Sequence, residues 1–105
     1  MKEDKKFQGL KLMISSEFFT IHMVIQYLIK YKNNQDVISL LADKLRTIPR
    51  AELLNYATEL CFFTLCHKSK EIDIFLLDLC SESFEAYEII TNMFETWGSQ
   101  FIKQS

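Results

Sequence analysis

Ser69-Lys-Glu-Ile-Asp-Ile-Phe-Leu-Leu-Asp-Leu-Cys80 sets apolar side chains at Ile72, Phe75, Leu76, Leu79 and Cys80. Those positions follow i, i+3, i+4, i+7, i+8, the spacing that gathers side chains on one face of a helix with 3.6 residues per turn. Ser69 has the hydroxyl needed to accept a hydrogen bond from the free N–H groups of the first turn. Just before it, His67-Lys68-Ser69-Lys70 carries cations suited to the negative end of a preceding helix dipole.

Toward the N-terminus the same period recurs. After Pro49, Glu52 falls in a first turn and Leu53, Ala57, Leu60, Cys61, Thr64 and Leu65 follow along one side, which predicts a single helix reaching His67. Cys61 to Leu65 taken alone would pass as a strand on propensity, but its helical context decides against that. Pro49 lacks an N–H and has a fixed φ, so it marks a helix boundary. Val37, Leu40, Leu41, Lys44 and Leu45 form a mostly apolar face, with Asp36 as the expected N-cap. Ile21, Val24, Ile25, Leu28 and Ile29 predict another helix, capped by Ser15 or Ser16, ending near Tyr31 before the polar run Lys32 to Gln35. Phe7, Leu10, Met13 and Ile14 predict a short first helix behind a solvated charged tail over residues 1–6.

Toward the C-terminus, Ser81-Glu82-Ser83 breaks the pattern. Ala86, Ile89, Ile90, Met93, Phe94 and Trp97 then form a last stripe before Gly98, with Phe101 and Ile102 available to extend it. The expected fold is all-α: five to six antiparallel helices stacked as helical hairpins, with the local logic of a short α-solenoid. Residues 7–105 form one domain, and no self-similar repeat emerges.

Composition agrees. Two glycines and one proline in 105 residues leave little material for the tight turns of β or α/β domains. The formal charge of −2 provides no overall field for phosphate backbones, so nucleic acid is not an expected partner. Three cysteines, an odd number without C-x-x-C spacing, argue for a reducing compartment. No apolar run approaches the ~18 residues of a membrane span, and the charged start does not resemble a signal peptide. A cytoplasmic protein is expected.

Reactive constellations are not evident. His22 and His67 lie far apart and at no metal-ligand spacing. Adjacent helical residues point about 100° apart, so Cys66 and His67 are badly placed to act as nucleophile and base. Cys61 and Cys80 fall on apolar stripes, where a thiol packs as a small hydrophobe. Gly9 and Gly98 stand alone and make no phosphate loop. No catalytic residue, cofactor or metal site is therefore expected.

The nine phenylalanines and four tyrosines are more informative, because a thin helical layer has difficulty burying them all. Most should complete the core. Phe18-Phe19, Phe62-Phe63, Tyr27 and Tyr31 are the candidates to remain outside as interface anchors. Tyr27 and Tyr31 stand beside the polar run, so Tyr27, Tyr31, Lys32 and Asn33 are the candidate partner-binding residues.

The segments Leu10-Lys-Leu-Met-Ile14, Phe18-Phe19, Met23-Val-Ile-Gln-Tyr-Leu28, Asp43-Lys-Leu45 and Asp78-Leu-Cys-Ser-Glu-Ser83, in that order and spacing, resemble the accessory helical (PIK) domain of type III phosphatidylinositol 4-kinases, most closely the beta type. The shared positions are packing positions rather than reacting groups. Two departures stand out: the connection from His67 to Lys70 is shorter than in the family, and no segment corresponds to the kinase lobes. The resemblance implies a non-catalytic domain that scaffolds the kinase domain of a parent lipid kinase and receives regulators, including a Rab-family small GTPase. It also implies peripheral recruitment to Golgi or endosomal membranes through that enzyme. The alternative is an independent HEAT-like helical module for protein–protein interaction.

Overall fold

The computed structural model describes the backbone of residues 2–104 and the side chains of residues 5–96. Seven helices and no strand occur among the described residues: α1 Lys2–Ser15, α2 Ile21–Lys30, α3 Gln35–Leu45, α4 Arg50–Asn55, α5 Ala57–Cys66, α6 Lys70–Glu82 and α7 Phe84–Gln104. The principal extents are 45 × 32 × 19 Å. The shortest matches two helix layers, each about 10 Å across.

Helix α3 is the hub, packing against α1, α2 and α6, and α7 closes the other side against α5 and α6. Its apolar stripe is the best-buried part of the chain, with Ile38, Leu41 and Leu45 withdrawn completely from solvent. Val24 and Leu28 of α2, Leu60 and Cys61 of α5, and Ile72 of α6 meet that stripe in one continuous core. Burying each such aliphatic side chain contributes on the order of 1.5–3 kcal/mol.

Four helix starts are held by side-chain caps. Thr20 Oγ1 accepts from the Met23 N–H at 3.4 Å and Asn34 Oδ1 from Val37 at 3.2 Å. Ser69 Oγ accepts from Ile72 at 3.5 Å and Ser83 Oγ from Ala86 at 3.2 Å. The cap expected at Ser69 is thus in place, and the break expected at 81–83 carries the Ser83 cap of α7. Two expected caps are corrected. Ser15 ends α1, and its hydroxyl donates back to the Leu12 carbonyl, whereas Ser16 Oγ accepts from the Phe18 N–H in the turn before Thr20. Asp36 lies in the first turn of α3, where its charge suits the dipole, and Asn34 makes the cap.

The helix expected from Pro49 to His67 is also divided. At Tyr56 the backbone reaches φ −112° and ψ 14°, ending α4 with a Tyr56 N–H to Leu53 carbonyl bond of 3.1 Å. The apolar positions 53, 57, 60 and 61 pass through this break in phase, so periodicity could not reveal it. At the start, α1 takes in the charged segment from Lys2 onward. At the other end, α7 continues through Gly98 to Gln104, while the side chains of Trp97, Phe101 and Ile102 lie outside those described.

Tertiary polar contacts lock the hairpins together. Lys44 Nζ donates to the Ser16 carbonyl at 2.9 Å, tying α3 to the turn between α1 and α2. Arg46 pairs with Asp78 across α3 and α6. No buried side-chain nitrogen or oxygen among the described residues lacks a hydrogen-bond partner.

Candidate partner-binding surfaces

The four residues singled out from sequence lie together at the end of α2, but in different settings. Tyr27 is half-buried, with its ring edge-on to Phe19 at 5.1 Å between centroids and its hydroxyl 3.9 Å from the Met13 sulfur. It is chiefly a packing residue joining α2 to α1. Tyr31 is half-buried as well, its centroid 5.8 Å from that of Tyr27. Lys32 and Asn33 are exposed in the following turn. Lys30, which sequence reading missed, holds its ammonium 5.7 and 5.5 Å from the two ring centroids, within cation–π range. Tyr31 also lines an open depression of about 860 Å³ between α1 and the start of α3, with Phe7, Leu10, Met13 and Asn34.

The paired phenylalanines separate inside from outside. Phe18 is 85% exposed and Phe19 only 3%. Phe62 stays half-exposed while Phe63 is buried. Phe62 forms part of an apolar recess of about 400 Å³ between α2 and α5, lined also by Ile25, Ile29, Thr58 and Cys66.

A second apolar groove, of about 610 Å³, runs between α6 and α7. Leu76 and Cys80 form its floor from α6, and Ile90 and Phe94 its floor from α7, with Leu77 and Tyr87 along the margins. Asp73 and Glu95 stand at the end farthest along both helices from the Ser83 link. Phe84 is exposed near the link itself. Sequence reading missed this surface because it followed the clean core stripe of α6. Ile74 and Leu77, apolar yet off that stripe, were the available signal, and both are exposed.

The ionisable groups of the described residues sit in separate settings. Burial, reinforced by the neighbouring Cys80, pushes the Cys61 thiol up to about 12, and burial also raises Cys80. Both are poor nucleophiles. Cys66 is exposed, and the adjacent His67 ring lies against Phe63 at 5.4 Å. His22 Nε2 is 3.2 Å from Gln26 Nε2 on the open face of α2. Burial raises Asp73 above the ordinary carboxylate value, opposed by Lys68. Among the described residues no group of three or more His, Cys, Asp or Glu could hold a metal ion, and no helix is long and apolar enough to cross a membrane.

Compared with protein-family models, curated proteins and solved structures, the chain finds no match.

Proposed function

We propose that this chain acts as the non-catalytic helical accessory domain of a phosphatidylinositol 4-kinase, bracing the kinase core and presenting a surface to regulators such as a Rab-family small GTPase. The observation supporting this reading is where the resembling segments fall. Met23 to Leu28 lie in α2, Asp43-Lys-Leu45 closes α3, and Asp78 to Ser83 spans the end of α6 and the cap of α7. The last two lie where one helix ends and the next begins, and the first carries the core residues Val24 and Leu28. Lys44 clasps the α1–α2 turn and Ser83 opens α7, roles that scaffolding residues would have.

In this role the chain contributes shape rather than chemistry, with Tyr27, Lys30, Tyr31, Lys32 and Asn33 as the regulator-facing cluster. Cytoplasmic residence and peripheral recruitment to Golgi or endosomal membranes would follow from the parent enzyme.

An antibody against this chain tests the reading directly. Immunoprecipitation from the source cells should recover a polypeptide of lipid-kinase length that converts phosphatidylinositol to its 4-phosphate. Recovery of a polypeptide of about the 12.4 kDa of this chain, without associated kinase activity, would instead establish the independent helical module.

A further inference from the structure

Helix α1 has an inner and an outer side. Ile14 is buried and Phe7 and Leu10 pack against the core, whereas Lys5, Gln8, Gly9, Leu12 and Ser15 follow helical spacing along the outward side and are all exposed. Lys6 and Lys11, exposed as well, flank that side. From Lys5 to Ser16 the sequence has three lysines and no carboxylate. None of the three has an ion-pair partner among the described residues. The overall charge of −2 conceals this positive strip.

The turn after α1 fixes a second apolar group in solvent. The Ser16 carbonyl accepts from the Phe19 N–H at 3.1 Å and from Lys44 Nζ at 2.9 Å, while Ser16 Oγ accepts from the Phe18 N–H at 3.1 Å. This backbone path sends Phe19 into the core and leaves Phe18, the most exposed of the large apolar side chains, outside with Leu12 at 72% exposure. Neither Leu12 nor Phe18 lines any recess described above. They project from a helix ridge and a turn, a convex shape that offers no groove to a folded partner but can enter a fluid surface that reshapes around it. Two carboxylates lie near: Glu17 next to Phe18, and Asp36 at the depression that Phe7 and Leu10 line from the inner side of α1. Neither is ion-paired to these lysines.

We infer that the outward side of α1 and the turn after it form a docking surface for an anionic phospholipid bilayer, with Leu12 and Phe18 entering the headgroup region and Lys5, Lys6 and Lys11 meeting lipid phosphates and carboxylates. Lysine stems are long enough to lie along the apolar boundary while the ammonium stays at headgroup level. Even one myristoyl chain gives only marginal, reversible membrane binding, so two side chains cannot hold the chain without the lysines. Each lysine near an anionic surface strengthens binding by roughly fivefold. Attachment therefore needs both kinds of contact and is reversible. This surface belongs to the chain itself, so the inference stands whether or not a lipid kinase accompanies it.

The test is co-sedimentation of the full chain with vesicles of phosphatidylcholine, alone or with about one-third phosphatidylserine. The chain should bind the anionic vesicles at least tenfold more tightly than the neutral ones, and raising salt from about 0.1 to 0.5 M should weaken binding at least fivefold, because added ions screen surface charge. The triple variant Lys5→Glu, Lys6→Glu, Lys11→Glu and the double variant Leu12→Ser, Phe18→Ser should each lose at least tenfold. All five positions are in solvent, and circular dichroism checks that both variants fold. Should either unfold, Lys11→Glu and Phe18→Ser alone should each weaken binding at least threefold. Equal binding to neutral vesicles, no binding to either kind, or undiminished binding by a folded variant would each overturn the inference. So would tighter binding of a polyglutamate peptide than of anionic vesicles, which would make the partner an acidic protein, or sedimentation showing this face covered by a second copy of the chain.

Discussion

The Arg46 guanidinium meets the Asp78 carboxylate at 2.7 Å, joining the residue that follows α3 to the polar side of α6. The same guanidinium lies 5.7 Å from the Phe75 ring centroid, so the cation covers an aromatic side chain of the core while pairing at the surface. Both partners remain nearly half exposed, and solvent screening limits the energy of the pair. A double-mutant cycle with Arg46→Ala and Asp78→Ala should give a coupling of about 0.2–1 kcal/mol that declines with salt. Arg46→Ala should cost more than Asp78→Ala, because it also uncovers Phe75. Equal costs would remove the packing role.

Adjacent leucines on α6 should respond oppositely. Leu76 is 3% exposed and Leu77 67%. A carboxylate at position 76 costs several kcal/mol unless it neutralises, comparable with the whole stability of a small domain, so Leu76→Asp should unfold the chain. Leu77→Asp should change thermal stability by less than about 1 kcal/mol. Circular dichroism melts of the pair check both, and a well-folded Leu76→Asp chain would contradict the core assignment.

The cap at Ser83 separates α6 from α7 with a single residue. Ser83→Ala removes the acceptor for the buried Ala86 N–H and should cost about 1–2 kcal/mol, while Ser83→Asp should retain most of the stability. Urea unfolding would show the order. Equal midpoints for the two variants would mean that the link does not depend on its cap.

The three thiols should differ in reactivity and in their effect on alkaline stability. Iodoacetamide should modify exposed Cys66 first and buried Cys61 last. Unfolding returns Cys61 to a pKa near 9.0 from about 12 in the folded chain. Between those values the unfolded chain binds fewer protons, so the stabilisation is complete below about pH 9 and is lost as pH rises toward 12. Wild-type stability relative to Cys61→Ala should therefore decline as pH rises above about 9 toward about 12. A constant difference would contradict the buried neutral thiol.

Under the proposed function, Tyr31→Ala should weaken binding of the regulator by about 1–2 kcal/mol. Because Tyr31 also packs against the core, a melting curve must accompany the binding measurement. Lys32→Glu, at an exposed position, should weaken the same interaction without moving the melt. Unchanged affinity in both variants would place the regulator site elsewhere.

The all-α class and most of the core stripes were legible because a helix writes its buried face into sequence as a simple period. Ile72, Phe75, Leu76 and Leu79 are buried as that period requires, and Pro49, Ser69 and Ser83 mark boundaries through local backbone chemistry. Caps at Asn34 and Thr20 were harder to assign, since several neighbouring polar residues offer similar acceptors and only the backbone path selects one. The turn at Tyr56 left no trace in the period. Which of Phe18 or Phe19, Phe62 or Phe63 faces inward was settled by the common core that the packed helices form around Phe19 and Phe63. The groove between α6 and α7 belongs to tertiary structure alone: its floor combines residues of two consecutive helices whose packing angle the sequence period does not encode, and neither helix encloses that volume without the other.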